Sequence, residues 1–100
     1  MNAEISREAF RDLHDILSRI EEDDPIAAER MQKEFFRKFR ILECQPGLGT
    51  RTLNKGVRAL PVKRNYRVLY QSPPPRLIIR RVIHVARHWP EAALPGDADQ

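Results

Sequence analysis

Near the C-terminal end of the chain, His84 stands beside Arg80 and Arg81, with Arg58, Tyr66, Arg67 and Tyr70 upstream. These residue types could cleave RNA. An imidazole titrates near neutrality and can act as general acid or base toward a ribose hydroxyl. Guanidinium groups can clamp the phosphate and stabilise the charge that builds on it, and a phenol can stack on a base or donate a proton. If the alternation along the last strand is unbroken, Arg80, Val82 and His84 share one face, so that a cation and an imidazole could meet a single phosphate. The candidate catalytic set is therefore His84, Arg80, Arg67, Arg58 and Tyr70, with no member assigned outright. The simpler reading of His84 is structural, its ring nitrogens satisfied by nearby backbone or by a carboxylate. Tyr66 and Tyr70 are in turn residues that a pleated sheet favours for packing.

Two helices and three strands must position these groups. From Ser6 to Ile20, Ala9, Phe10, Leu13, Ile16, Leu17 and Ile20 recur at helical spacing, with Ser6 as N-cap. Asp24-Pro25 opens a second helix whose stripe is Ala28, Met31, Phe35, Phe39 and Leu42, and Pro46-Gly47-Leu48-Gly49 stops it. The short connection predicts an antiparallel hairpin. Residues 50–56 read as a loop, Val57 to Val62 as a strand, and Lys63-Arg64-Asn65 as a turn. Tyr66 to Gln71 alternates cleanly, with Tyr66, Val68 and Tyr70 on one face. After the prolines at 73–75, Arg76 to Val85 forms the expected central strand, with Leu77, Ile79, Ile83 and Val85 on one face. Pro61 lacks an N–H and belongs at an edge or bulge. Met1 to Ile5 offers one short further strand. The expected fold is α+β, a two-helix antiparallel hairpin packed on a small three- to four-stranded antiparallel sheet. It forms one domain over residues 1–90, followed by a flexible tail over 91–100.

A chain of 100 residues supports one core. Its net charge of +4 is unevenly spread: residues 1–29 sum to −6, residues 30–90 to +13 and residues 91–100 to −3. The basic block should attract phosphates or an acidic protein partner. No apolar run approaches the ~20 residues that span a bilayer, and no basic region leads into an apolar one at the N-terminus. A soluble, cytoplasmic chain is expected. Cys44 is the single cysteine and reads as a buried structural thiol. His14, His84, His88 and Cys44 lack metal-ligand spacing, so neither metal nor cofactor is expected. A DNA-binding repressor ranks last among the functional classes, because no helix has a base-reading pattern.

Ser6-Arg7-Glu8-Ala9 followed by Asp12-Leu13-His14-Asp15-Ile16 resembles the S-x-x-A-x-x-D-L-x-x-I opening of the ParE-like branch of the RelE/ParE superfamily of type II toxins. Ala27-Ala28, Pro46-Gly47-Leu48-Gly49, Gly56-Val57-Arg58, Tyr66-Arg67-Val68-Leu69-Tyr70 and Arg81-Val82-Ile83-His84-Val85-Ala86-Arg87 continue the pattern in order. The match covers about residues 5 to 90. The resemblance implies a stress-response toxin neutralised by a small antitoxin whose C-terminal segment wraps the helix hairpin and sheet. Arg58, Arg67, Arg81, Arg87 and Trp89 are the candidate partner-binding residues, although the simpler reading of Trp89 is that it covers the sheet edge. Within the superfamily, ParE-like members are associated with poisoning DNA gyrase and RelE-like members with cutting messenger RNA on the ribosome. Gyrase inhibition is the expected activity, with mRNA interference, an endoribonuclease activity, as the alternative. Because the His-x-x-Arg pair also occurs in the ParE-like branch, His84 and Arg87 do not by themselves signal a nuclease.

Overall fold

Ser6 starts the first helix by accepting the Ala9 N–H through its hydroxyl at 3.1 Å, which satisfies one of the free donors of the first turn. The computed structural model describes residues 2–86. In order, the elements are β1 (Ala3–Ile5), α1 (Arg7–Asp23), α2 (Pro25–Cys44), β2 (Thr50–Arg51), β3 (Val57–Val62), β4 (Tyr66–Gln71) and β5 (Leu77–His84). A single residue joins the helices. Asp24 closes α1 by donating its N–H to the Ile20 carbonyl at 2.8 Å and opens α2 by accepting the Ala27 N–H at 3.1 Å. Pro25 follows at the first helical position, where its missing N–H costs nothing.

The sheet is broader than the sequence suggests and is mixed. It has five strands in the order β1-β5-β4-β3-β2. β1 runs parallel to β5, with Ala3 opposite Leu77, and the other pairs are antiparallel. Two short edge strands make the difference. β1 confirms the short strand expected in the first five residues, whereas β2 arises inside the expected loop. The central place expected for β5 belongs to β4, which pairs with both β3 and β5, and β5 lies one place from the edge between β4 and β1. Pro61 sits beyond the reach of β2, which ends opposite Arg58 and Ala59, so it has a strand partner on one side only.

Both helices cover one sheet face. Their stripes pack on Leu60, Val62, Val68, Tyr70, Leu77, Ile79 and Val82. Val57, Ala59 and Leu69 form a separate buried cluster on the other face. All five expected stripe residues of α2 are buried, and Phe35 is fully enclosed, a burial worth about 1.5–3 kcal/mol. Phe10 departs from its expected place in the α1 stripe and is 65% exposed. Cys44 is also exposed rather than buried, because it closes α2 after the last core residue, Leu42.

One residue reverses the expected faces of β5. Leu69 pairs with Arg81 but Tyr70 pairs with Ile79, which leaves Arg80 as an extra residue in a β-bulge. Leu77 and Ile79 face the helices as expected. Beyond the bulge the helix face passes to Val82 and His84, while Ile83 lies opposite Arg67 on the far face. An extra residue in a period of two exchanges the two faces. Arg80, Val82 and His84 therefore do not form one uninterrupted face. Arg87, Trp89, His88 and the tail over 91–100 lie outside the described residues.

Candidate functional site

The bulge on β5 is where α1 docks. Ser6 donates its backbone N–H to the Ile79 carbonyl at 2.9 Å and its hydroxyl to the Arg80 carbonyl at 2.9 Å. One turn on, Ala9 is fully buried. At the next turn Asp12 accepts the Val82 N–H at 2.9 Å and two bonds from the Arg81 guanidinium, at 2.7 and 3.1 Å. Both partners of this forked ion pair are largely shielded, with side chains 25% and 17% exposed. Hydrogen bonding to Asp12 raises the Arg81 pKa still further above its usual value. The spacing of Ser, Ala and Asp at three-residue intervals thus stitches one helix face to an irregular strand. Arg81 is committed to Asp12.

His84 closes the same end of the sheet. Its ring meets Tyr66 edge-on, with centroids 5.1 Å apart, and Tyr66 in turn meets Phe35 at 5.5 Å. Nδ1 accepts the Ala86 N–H at 3.2 Å. Burial pushes the Tyr66 phenol above its ordinary pKa. His84 and Tyr66 line a cleft of about 310 Å³ together with Asp12, Asp15, Asp23, Asp24 and Arg19. Asp12 is already paired with Arg81, so Asp15, Asp23 and Asp24 against Arg19 leave this cleft a negative character, which disfavours a phosphodiester there. Among the described residues that line it, Arg19 is the one arginine or lysine.

The remaining candidates lie elsewhere. Tyr70 is fully buried; its hydroxyl accepts the Gly49 N–H at 2.8 Å and donates to the Pro46 carbonyl at 2.7 Å. Burial raises its pKa, against the opposing pull of Gly49 and Arg58. Arg58, its cross-strand partner, donates Nη1 to the Gly49 carbonyl at 2.8 Å. A Cβ on Gly49 would stand 2.7 Å from the Tyr70 hydroxyl, so only glycine admits this latch. Arg67 lies opposite Ile83 and Pro61 on the far face, across the sheet from His84. The five groups proposed for RNA cleavage are therefore spread over the sheet: His84 in the cleft, Arg80 in the bulge, Tyr70 and Arg58 at Gly49, and Arg67 on the far face.

A different feature escaped the sequence reading. Between α1 and α2 runs a groove of about 580 Å³ lined by Phe10, Leu13, Leu17, Ala28 and Phe36, among others. Phe10 and Phe36 remain 65% and 40% exposed. The available signal was Phe36, which falls beside the α2 core stripe, whereas the spacing of Phe10 assigns it to the α1 stripe. Among the described residues no group of three or more His, Cys, Asp or Glu could hold a metal ion. No described helix is long and apolar enough to cross a membrane.

A helix hairpin stitched to a bulged five-stranded mixed sheet, with an apolar groove between the helices, defines a small α+β protein. Residues 3–89 match the family described as ParE toxin of type II toxin-antitoxin system, parDE. The chain belongs to that family, and is a ParE-like type II toxin. A solved structure titled as a chromosomal ParDE TA system from P. aeruginosa shares the fold, with a TM-score of 0.74 and 20% sequence identity, over 84% of this chain and 95% of that one. No curated protein sequence gives a significant match.

Proposed function

We infer that this ParE-like toxin acts by binding DNA gyrase, without hydrolytic chemistry of its own, and that a cognate antitoxin neutralises it. The observation that carries the reading is the acidic cleft around His84, where Asp15, Asp23 and Asp24, beyond the Arg81-paired Asp12, disfavour an RNA phosphate at the only imidazole of the described sheet. Arg81 held by Asp12 and Tyr70 held by Gly49 and Pro46 add to it, since neither is available as a clamp or proton donor. Gyrase as the target rests on the resemblance to the ParE-like branch, whose members are associated with poisoning it. For the antitoxin, the groove between the helices offers the right surface: exposed large apolar side chains in a concave setting suit the apolar face of an amphipathic segment. Such a segment would order on binding and bury a large area for its length.

The test is a supercoiling reaction with purified gyrase, relaxed plasmid and ATP. The full-length toxin is expected to inhibit supercoiling, and prior addition of the protein encoded by the adjacent antitoxin gene is expected to restore it. Unchanged supercoiling, together with messenger RNA cuts at the ribosomal A site in a translating extract, would replace this reading with mRNA interference.

A further inference from the structure

The hairpin formed by β2, residues 52–56 and β3 gathers Arg51, Lys55 and Arg58 around an open cavity of about 740 Å³ whose lining contains no acidic side chain. Arg51 and Arg58 are direct cross-strand partners. Like charges placed opposite each other weaken an antiparallel pair, and no ion pair among the described residues involves either arginine or Lys55. An anion in the cavity would relieve that repulsion.

Leu53 stands between these cations at the tip of the loop. It is 75% exposed. The turn that presents it is firmly tied: Thr52 donates its N–H and its hydroxyl to the Val57 carbonyl at 3.1 and 2.9 Å, and Val57 returns its N–H to the Asn54 carbonyl at 3.0 Å. A fixed aliphatic tip flanked by cations is the arrangement with which minor-groove proteins open a base step while holding the phosphates on either side. Single strands are instead gripped by stacking on aromatic rings, and the cavity lining contains none.

We propose that this hairpin is a contact for duplex DNA, with Arg51 and Lys55 on the phosphates, Arg58 adding its charge from its place on the Gly49 carbonyl, and Leu53 against a base step. The contact belongs to the toxin itself and goes beyond the gyrase reading. It is measured without gyrase, so that either idea can fail alone.

The experiment follows the fluorescence anisotropy of a labelled duplex of about 20 base pairs titrated with the full chain between about 50 and 200 mM salt. The Arg51→Gln/Lys55→Gln variant is expected to reduce the magnitude of the log–log salt slope by about 1.8, at ~0.9 per phosphate contact. Leu53→Ala is expected to weaken binding at every salt concentration without changing the slope, because an apolar wedge releases no counterions. Arg51→Gln alone should melt at or above the wild-type temperature, as relief of the cross-strand repulsion requires. Arg30→Gln/Arg40→Gln, which removes two exposed charges from α2, should leave both affinity and slope within twofold of wild type. Absence of duplex binding at low salt would overturn the proposal. So would an equal loss in the α2 variant, or tighter binding of single-stranded RNA or polyglutamate than of the duplex.

Discussion

Replacing Tyr70 with phenylalanine removes one oxygen and leaves two backbone groups, the Gly49 N–H and the Pro46 carbonyl, without their partner. Buried groups stranded in this way cost about 1–3 kcal/mol. Tyr70→Phe is expected to lower the unfolding free energy by that amount in a urea titration, with little change in the denaturant slope. A variant as stable as wild type would show that the latch contributes nothing. That Tyr70 packs inside the sheet was legible from its alternation with Val68 and Tyr66. Its hydroxyl partners were not, because the Pro46–Gly49 segment returns to β4 from more than twenty residues away, and residue type alone cannot encode so distant a contact. The same limit applies to His84, whose type invites a catalytic reading until four carboxylates from α1 and the helix connection are found around it.

Among the elements, α1 and β5 depend on each other. The bulge at Arg80 leaves the Arg80 carbonyl to receive the Ser6 hydroxyl and the Val82 N–H to reach Asp12. Asp12→Ala removes the forked ion pair and leaves the Val82 N–H and Arg81 without an acceptor, which is expected to cost about 2–3 kcal/mol after allowance for partial exposure. Asp12→Asn keeps an acceptor for Val82 and should lose less. Chemical denaturation of the two variants checks the order, and equal losses would mean that the charge, not the backbone acceptor, carries the effect. Both helices and β4 were legible because periodicity and caps agree with the packing they adopt. β5 was legible as a strand but not in its faces, since a single extra residue exchanges them and its one mark in the pattern is Arg81 interrupting the expected apolar face. β2 has only two residues and is defined by its pairing with β3, which no local sequence signal announces.

At the scale of the whole molecule, charge governs behaviour in acid. Hydrogen bonds from Arg76 and Arg37 hold the Glu4 and Glu34 carboxyls below the usual value of 4.5. The unfolded chain therefore binds more protons than the folded one as pH falls through that range, and the stability these pairs contribute at neutral pH is lost. Protonation of the carboxylates also raises the net charge above +4, which adds self-repulsion. Thermal melts should show a lower midpoint at pH 3.5 than at pH 7, and a higher one would contradict the account. The family was legible from six short motifs in order; the partition into an acidic cleft, an apolar groove and a basic hairpin depended on the fold. The proposed action is binding to gyrase rather than cutting RNA, and His84 is where the alternatives diverge. The most direct measurement is gyrase-dependent cleavage of supercoiled plasmid by wild type and His84→Ala, compared at equal concentrations of folded protein. Equal trapping of cleaved DNA by both proteins is predicted, even if the variant melts earlier. No trapped DNA from wild type, with ribosomal mRNA cuts that vanish in a folded His84→Ala protein, would contradict the claim.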